Sequence, residues 1–185
     1  VAKDIWVISD THLFHANILK FQDARGNLIR PFDSVDEMNQ CMLDNWNSVV
    51  KPGDKVYHLG DVFLGDKEAF KKLWPKFNGS KRLIVGNHDD IRFLTSGGFF
   101  KQSYMWRMLK DFGLLLTHVP VHSTALKRRE SRVDGSIDYC MLKNVHGHIH
   151  QNNSPGDVYP GDHYVNVCVE KTNYTPVNIE ELRIR

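Results

Sequence analysis

The sequence has little that would tie it to a disulfide scaffold, a membrane or a polyanion. Its three cysteines, Cys41, Cys140 and Cys168, are odd in number, far apart and without a C-x-x-C spacing. That argues against both a paired-cysteine framework and a thiolate zinc site, and each is expected to be a small buried apolar side chain. No apolar run is long enough to span a bilayer. No cationic region followed by a long apolar stretch is present near the start, because Asp4 and Asp10 interrupt the only candidate. A cytoplasmic, reducing setting is the expectation. An excess of charge of one sign is missing too: Lys plus Arg number 24 against 22 for Asp plus Glu. Bulk charge therefore does not single out nucleic acid as a partner, and bound cations would mask part of the acidic count. Repeats, low-complexity tracts and linker-like stretches are absent, so residues 1–185 are expected to form a single domain.

What is present is an alternation of strand and helix signals. "IWVIS" (5–9) is a short continuous apolar run, as in a strand covered on both faces. "SVDE" (34–37) fits a capping box with Ser34 at the cap, opening a helix whose Met38, Met42, Trp46 and Val49 share a face and which stops at "KPG" (51–53). "KVYHLG" (55–60) is the next strand. "DKEAFKKLWPKF" (66–77) is a helix ending near Pro75, and "RLIVG" (82–86) is a third strand. After "TSGG" (95–98), "SYMWRML" and "LLLTH" flank "KDFG" (110–113) as in a β-hairpin. "KNVHGH" (143–148) and "YVNVCVE" (164–170) supply two more strands, with "NIEEL" (178–182) a short terminal helix. The order implies βαβ units first and a more antiparallel second half, packed as layers.

The polar residues cluster where these strands stop. Asp10, Asp61, Asn87, His118 and His148 each lie at the end of an apolar strand or just beyond it. In α/β sheets ligands bind outside the carboxyl ends of the strands, so these positions are expected to converge. His12 and His150 follow Asp10 and His148 at a spacing of two, close enough to approach the same centres. Mixed carboxylates and imidazoles suit Mn, Fe, Zn or Ni better than Mg or Ca, which prefer all-oxygen shells.

"DTH" (10–12), "GD" (60–61), "GNHD" (86–89), "TH" (117–118) and "GHIH" (147–150), in that order, resemble the motif series of calcineurin-like metallophosphoesterases. "HANI" (15–18), "RPF" (30–32) and "NYTPV" (173–177) are similar to a compact, mainly bacterial and phage branch. The resemblance implies an α/β fold: a layered αββα sandwich with two mixed β-sheets flanked by helices and a dinuclear metal site at the strand C-terminal ends. It implies two divalent ions about 3.5–4 Å apart, with manganese first among the candidates. Asp10, His12 and His150 would hold one, Asn87, His118 and His148 the other, and Asp61 would bridge them. The neutral Asn87 then keeps the site electropositive toward phosphate. His88 would serve as general acid or charge stabiliser, with Asp89 orienting it.

The activity implied is hydrolysis of phosphate esters by in-line attack of a metal-bridging hydroxide. Phosphodiesters of nucleotide or nucleic-acid type are favoured, since an alkoxide leaving group gains most from a proton donor. A small-molecule phosphomonoesterase is the alternative. "GDVFLGD" (60–66) and "GNHDD" (86–90) lack the Arg and Glu that protein phosphatases carry there. A scaffold of the same fold, as in a retromer subunit, is disfavoured by retention of every ligand type.

Other residues carry weaker signals. His15, Asn17, Arg25 and Arg30 follow the first motif and are either substrate contacts, the Arg forks suiting phosphate, or ordinary loop residues. His58, inside a strand, reads as a hydrogen-bonded core histidine. His146 either supports a ligand or simply packs, and His163 is expected to be exposed. "LKRRESR" (126–132) reads first as a solvated, mobile loop, with a phosphate-tracking loop as the alternative. "DFG" (111–113) is a turn, because no glycine-rich phosphate loop or H-R-D segment accompanies it.

Overall fold

The computed structural model describes residues 3–131, 137–154 and 163–183. Strand β1 (Ile5–Ile8) is followed by helix α1 (Val35–Val49), β2 (Lys55–His58), α2 (Lys67–Leu73), β3 (Ser80–Ile84), α3 (Ile91–Ser96) and β4 (Gln102–Tyr104). Strands β5 (Trp106–Leu109), β6 (Leu114–Thr117), β7 (Lys127–Ser131), β8 (Ile137–Met141), β9 (Lys143–His146), β10 (Tyr164–Asn166) and β11 (Val177–Asn178) come next, and α4 (Ile179–Leu182) follows. A five-stranded sheet has the order β11-β1-β2-β3-β4 and a four-stranded sheet the order β10-β9-β6-β5. Both are mixed. In the first, β1 to β4 run parallel and β11 pairs antiparallel with β1; in the second, β10, β9 and β6 run parallel and β5 is antiparallel.

The period-2 alternation of the first sheet decides the layering. Ile8, Val56 and Leu83 face Met38, Met42 and Trp46 of α1 and the Phe70–Phe77 aromatics. Val7, Tyr57 and Ile84 point the other way, onto Leu114, Leu116 and Val145 of the second sheet. Two mixed sheets therefore pack face to face, with helices on the outside of the first. Over the outer face of the second, Leu115 packs with Leu126 and Leu142 beneath a 3-10 turn and the β7–β8 pair.

Local signals explain several boundaries. Ser34 accepts from Glu37 N, and the Glu37 carboxylate accepts from Asp33 N, one residue earlier than in a standard box. Asp66 caps α2, which tightens into a 3-10 turn at Trp74–Lys76 where Pro75 removes a donor. "SYMWRML" is split: β4 belongs to the first sheet, while β5 makes the expected hairpin with β6. "YVNVCVE" is a strand only over Tyr164–Asn166, with an isolated bridge from Ser9 to Cys168 beyond it.

The basic "LKRRESR" stretch is not a loop. Its residues 127–131 form β7, paired in register with β8, and Leu126 is buried beneath it; Arg132 lies outside the described residues. Cys168 is buried as expected, whereas Cys41 and Cys140 are half-buried, and His163 is half-buried rather than exposed. Among the described residues no helix is long and apolar enough to cross a membrane.

Candidate metal centre

Parallel pairing places the ends of β1, β2 and β3 side by side, and the facing sheet brings up the ends of β6 and β9. Backbone bonds continue beyond the strands and lock the loops together: Asp10 N to Gly60 O, His12 N to Asp61 O, and Gly147 N to His118 O. The sheets are stitched across the site by His148 N donating to Asp10 Oδ2 (2.9 Å) and His118 Nδ1 donating to Leu59 O (2.7 Å). The glycines in the motifs mark close approaches. A Cβ on Gly86 would run into the Asp61 carboxylate, and one on Gly147 would collide with Ser9 and the Asp10 carboxylate.

Two groups of side chains converge there. Ligand atoms of Asp10, His12 and His150 lie within 4.8 Å of one another, and so do those of Asp61, His118 and His148. Asn87 joins the second group, its Oδ1 lying 2.9 Å from both His118 Nε2 and His148 Nδ1. Asp61 Oδ2 sits between the groups, 3.6 Å from His12 Nε2 and 3.4 Å from His118 Nε2. Its other oxygen accepts from His88 N at 2.9 Å. Oδ2 is thus the oxygen that faces both groups.

The backbone here is strained. Asp10, His12, Asp61, His148 and His150 all have φ between 46° and 70°, a region that costs non-glycine residues energy and concentrates at functional sites. Asp10 Oδ1 and both ring nitrogens of His12 are buried without a hydrogen-bond partner among the described residues. Unpaired buried groups cost about 1–3 kcal/mol each, which ligation of a cation would offset. The ionisation states agree. Burial, with the charge of Arg30 nearby, lowers the His12 pKa to about 2, leaving a neutral imidazole. Burial opposes the ionised Asp61, but the bond from His118 and that residue's charge hold its carboxyl well below the usual range. His118 and His150 each donate Nδ1–H to an oxygen, so Nε2 is the lone-pair nitrogen of each ring once it is neutral. Burial opposes their protonation, but Asp61 beside His118 and Glu170 beside His150 raise both pKa values. The residues fit divalent cations.

Several assignments change. Arg30 is fully buried, so it offers phosphate nothing: it donates to Glu170 Oε1 and to the carbonyls of Asp10 and Thr11. Asp89 does not orient the His88 ring, because its oxygens accept the backbone amides of Asp61, Val62 and Gly86. It holds the second and third motif loops together instead. His88 is exposed, with its ring 5.9 Å from that of His12. The His15 ring lies 5.5 Å from His12, whereas Asn17 and Arg25 are exposed on the neighbouring loop. His58 is a buried core histidine paired with Thr11 Oγ1, and His146 is buried, fastening Gly147 O and Ser154 beneath the last ligand pair.

Sequence reasoning missed Glu170, which accepts from His150 Nδ1 at 2.8 Å and from Arg30. Burial raises its pKa, but His150 and Arg30 outweigh that and bring it to about 2. An acid at the end of "VNVCVE" was the available signal. Ser9 and Cys168, both buried, donate to Asp10 Oδ2, and burial pushes the Cys168 thiol far above its ordinary range, so it stays protonated as a donor.

A family model described as calcineurin-like phosphoesterase matches residues 3–114. An uncharacterized protein of Methanocaldococcus jannaschii is 35% identical over 184 residues, covering 96% of this chain and 88% of its own length. The gene 66 protein of Mycobacterium phage L5 is 34% identical over 87 residues, 45% of this chain and 39% of the phage protein. The crystal structure of a protein of unknown function from Aquifex aeolicus aligns with a TM-score of 0.73 at 26% identity, covering 98% of both chains. The family match spans the first sheet's motifs, and the archaeal and Aquifex relatives cover nearly the whole of this chain. The chain belongs to the calcineurin-like phosphoesterase family and so to the metal-dependent phosphoesterases.

Proposed function

We propose that the protein hydrolyses phosphodiesters, of nucleotide or nucleic-acid type, at a dinuclear centre. Asp10, His12 and His150 would hold one ion and Asn87, His118 and His148 the second, with Asp61 Oδ2 placed to serve both. The carrying observation is the position of that oxygen between His12 Nε2 and His118 Nε2. Two divalent cations, manganese before iron, zinc or nickel, would supply a water of lowered pKa and polarise the phosphoryl oxygens. The chain's own residues do the rest. Asn87 ligates without adding negative charge that would repel an anionic ester. His88, exposed and tied to Asp61 through its backbone, holds its ring 5.9 Å from that of His12 and would serve as proton donor to the departing alkoxide. His15, its ring 5.5 Å from that of His12, would face the same ester. A single domain over residues 1–185 is part of this reading, supported by the pairing of β1 with β11 from opposite ends of the chain.

The test is metal analysis followed by turnover of a dinucleotide, a matched nucleoside monophosphate and bis-nitrophenyl phosphate. Two ions per chain with faster diester than monoester hydrolysis is expected. Preference for the monoester would move the reaction class, and failure to bind metal would overturn the proposal.

A further inference from the structure

A cleft of about 770 Å³ opens beside Asn87 and His118. That volume falls within the range of small-molecule sites. Its walls are apolar: Val85, Met105, Trp106, Met108, Val119 and Val121 are prominent among them. Met105 is 70% exposed and Trp106 59%, on the turn where the chain passes from β4 to β5 and so from one sheet to the other.

The polar side chains in this wall are already engaged. Asp89 is consumed by three backbone amides, and Thr117 Oγ1 donates to Val119 O at 2.6 Å. Asn87 and His118 are the proposed ligands. Among the described residues that line the cleft there is no lysine or arginine. Beyond the Trp106 indole N–H, a sugar or a second phosphate would find little to pair with here, whereas a flat apolar group meets an indole and two thioethers, which contact aromatic rings favourably.

We infer that this cleft is the subsite for one ester substituent of the substrate, an uncharged aromatic or alkyl group, seated on Trp106 while the phosphate lies at Asn87 and His118. The inference rests on the phosphoesterase reading and narrows it to nucleotide-type diesters whose other arm is apolar. Continuity carries the choice of occupant: two residues of the metal centre form the inner wall, so whatever fills the cleft lies beside the phosphate.

The experiment uses the manganese-loaded full chain and measures binding of phenylphosphonate and methylphosphonate through tryptophan fluorescence. Both are also run as inhibitors of bis-nitrophenyl phosphate turnover. Phenylphosphonate should bind about 10–100-fold more tightly, as burial of a ring predicts. Trp106→Ala and Val119→Glu, at exposed positions where folding is insensitive, should collapse that ratio. Equal binding of the two phosphonates, or a preference undiminished in both variants, would overturn the inference. So would a dimer in sedimentation that Trp106→Ala dissociates while no phosphonate preference is seen, since the cleft would then belong to a second copy. A preference without turnover of any ester would keep the subsite and remove the hydrolytic reading; turnover without a preference does the reverse.

Discussion

The two halves of the proposed metal centre are built differently. The Asp10, His12 and His150 side is enclosed: Asp10 and His12 are buried, and Asp10 and His150 are braced from behind. Ser9 and Cys168 hold Asp10, Glu170 holds His150, and Arg30 ties Glu170 to the carbonyls of Asp10 and Thr11. On the other side Asn87 and His148 are exposed, and of the three only His118 has a buried backbone partner, Leu59 O. Ligands fixed by neighbouring hydrogen bonds lose less freedom when an ion binds. One half is thus a preorganised socket, and the other an adjustable rim open to the apolar cleft.

Asp61 joins the halves, so removing it gives the largest effect. Asp61→Ala should abolish turnover and lower occupancy at both positions, because the cations lose their shared ligand. It also removes the acceptor for His88 N. A variant that keeps two ions per chain and substantial activity would show that the halves do not depend on Asp61.

His88 tests the chemistry without disturbing either half. His88→Ala should leave both ions bound and slow nucleotide diester hydrolysis by about 10²–10⁴-fold. The loss on nitrophenyl esters should be much smaller, since nitrophenolate departs without a proton. Rates on both substrates at saturating metal decide the matter. An equal fractional loss would make His88 an electrostatic stabiliser instead of a donor.

Glu170→Gln probes the bracing. It should weaken the enclosed metal by about 10–100-fold and leave the rim metal nearly unchanged, read by anomalous diffraction at a metal edge. Stability should fall by about 3–5 kcal/mol, because Arg30 loses the anion of a buried pair. Uniform loss of both ions would mean that Glu170 supports the fold without distinguishing the halves. The terminal pair separates the two halves most finely. His148→Ala should deplete mainly the rim ion and His150→Ala mainly the enclosed one. Loss of the same ion in both variants would dissolve the comparison.

Much of this was legible because strand ends in a parallel sheet have a simple address. Apolar runs stopping at Asp10, Asp61 and Asn87 are visible in one dimension, and the rule that ligands bind beyond the carboxyl ends brings them together. Helix α1 was equally readable from its cap and its apolar face. Asp89 was misjudged because adjacency to His88 says nothing about where a carboxylate turns once its loop folds back, and here three amides from two loops claim it. Arg30 was left open between a phosphate fork and an ordinary loop residue because charge is what a sequence displays and burial is not. The basic 127–131 stretch read as a loop because its partner, β8, lies across an intervening segment, and pairing between strands is a property of two segments together.

Residue type, order and spacing therefore determined the family, the layered α/β architecture and the set of ligand types, since these follow from local periodicity and from which side chains can bind a cation. Tertiary structure alone decided which oxygen of Asp61 faces both groups and which halves of the centre are braced. It also put Glu170, 140 residues from Arg30 in the chain, against it, and placed an apolar cleft beside the rim. Those features arise from contacts between segments far apart in sequence, where packing and backbone hydrogen bonds, not local preference, set the outcome.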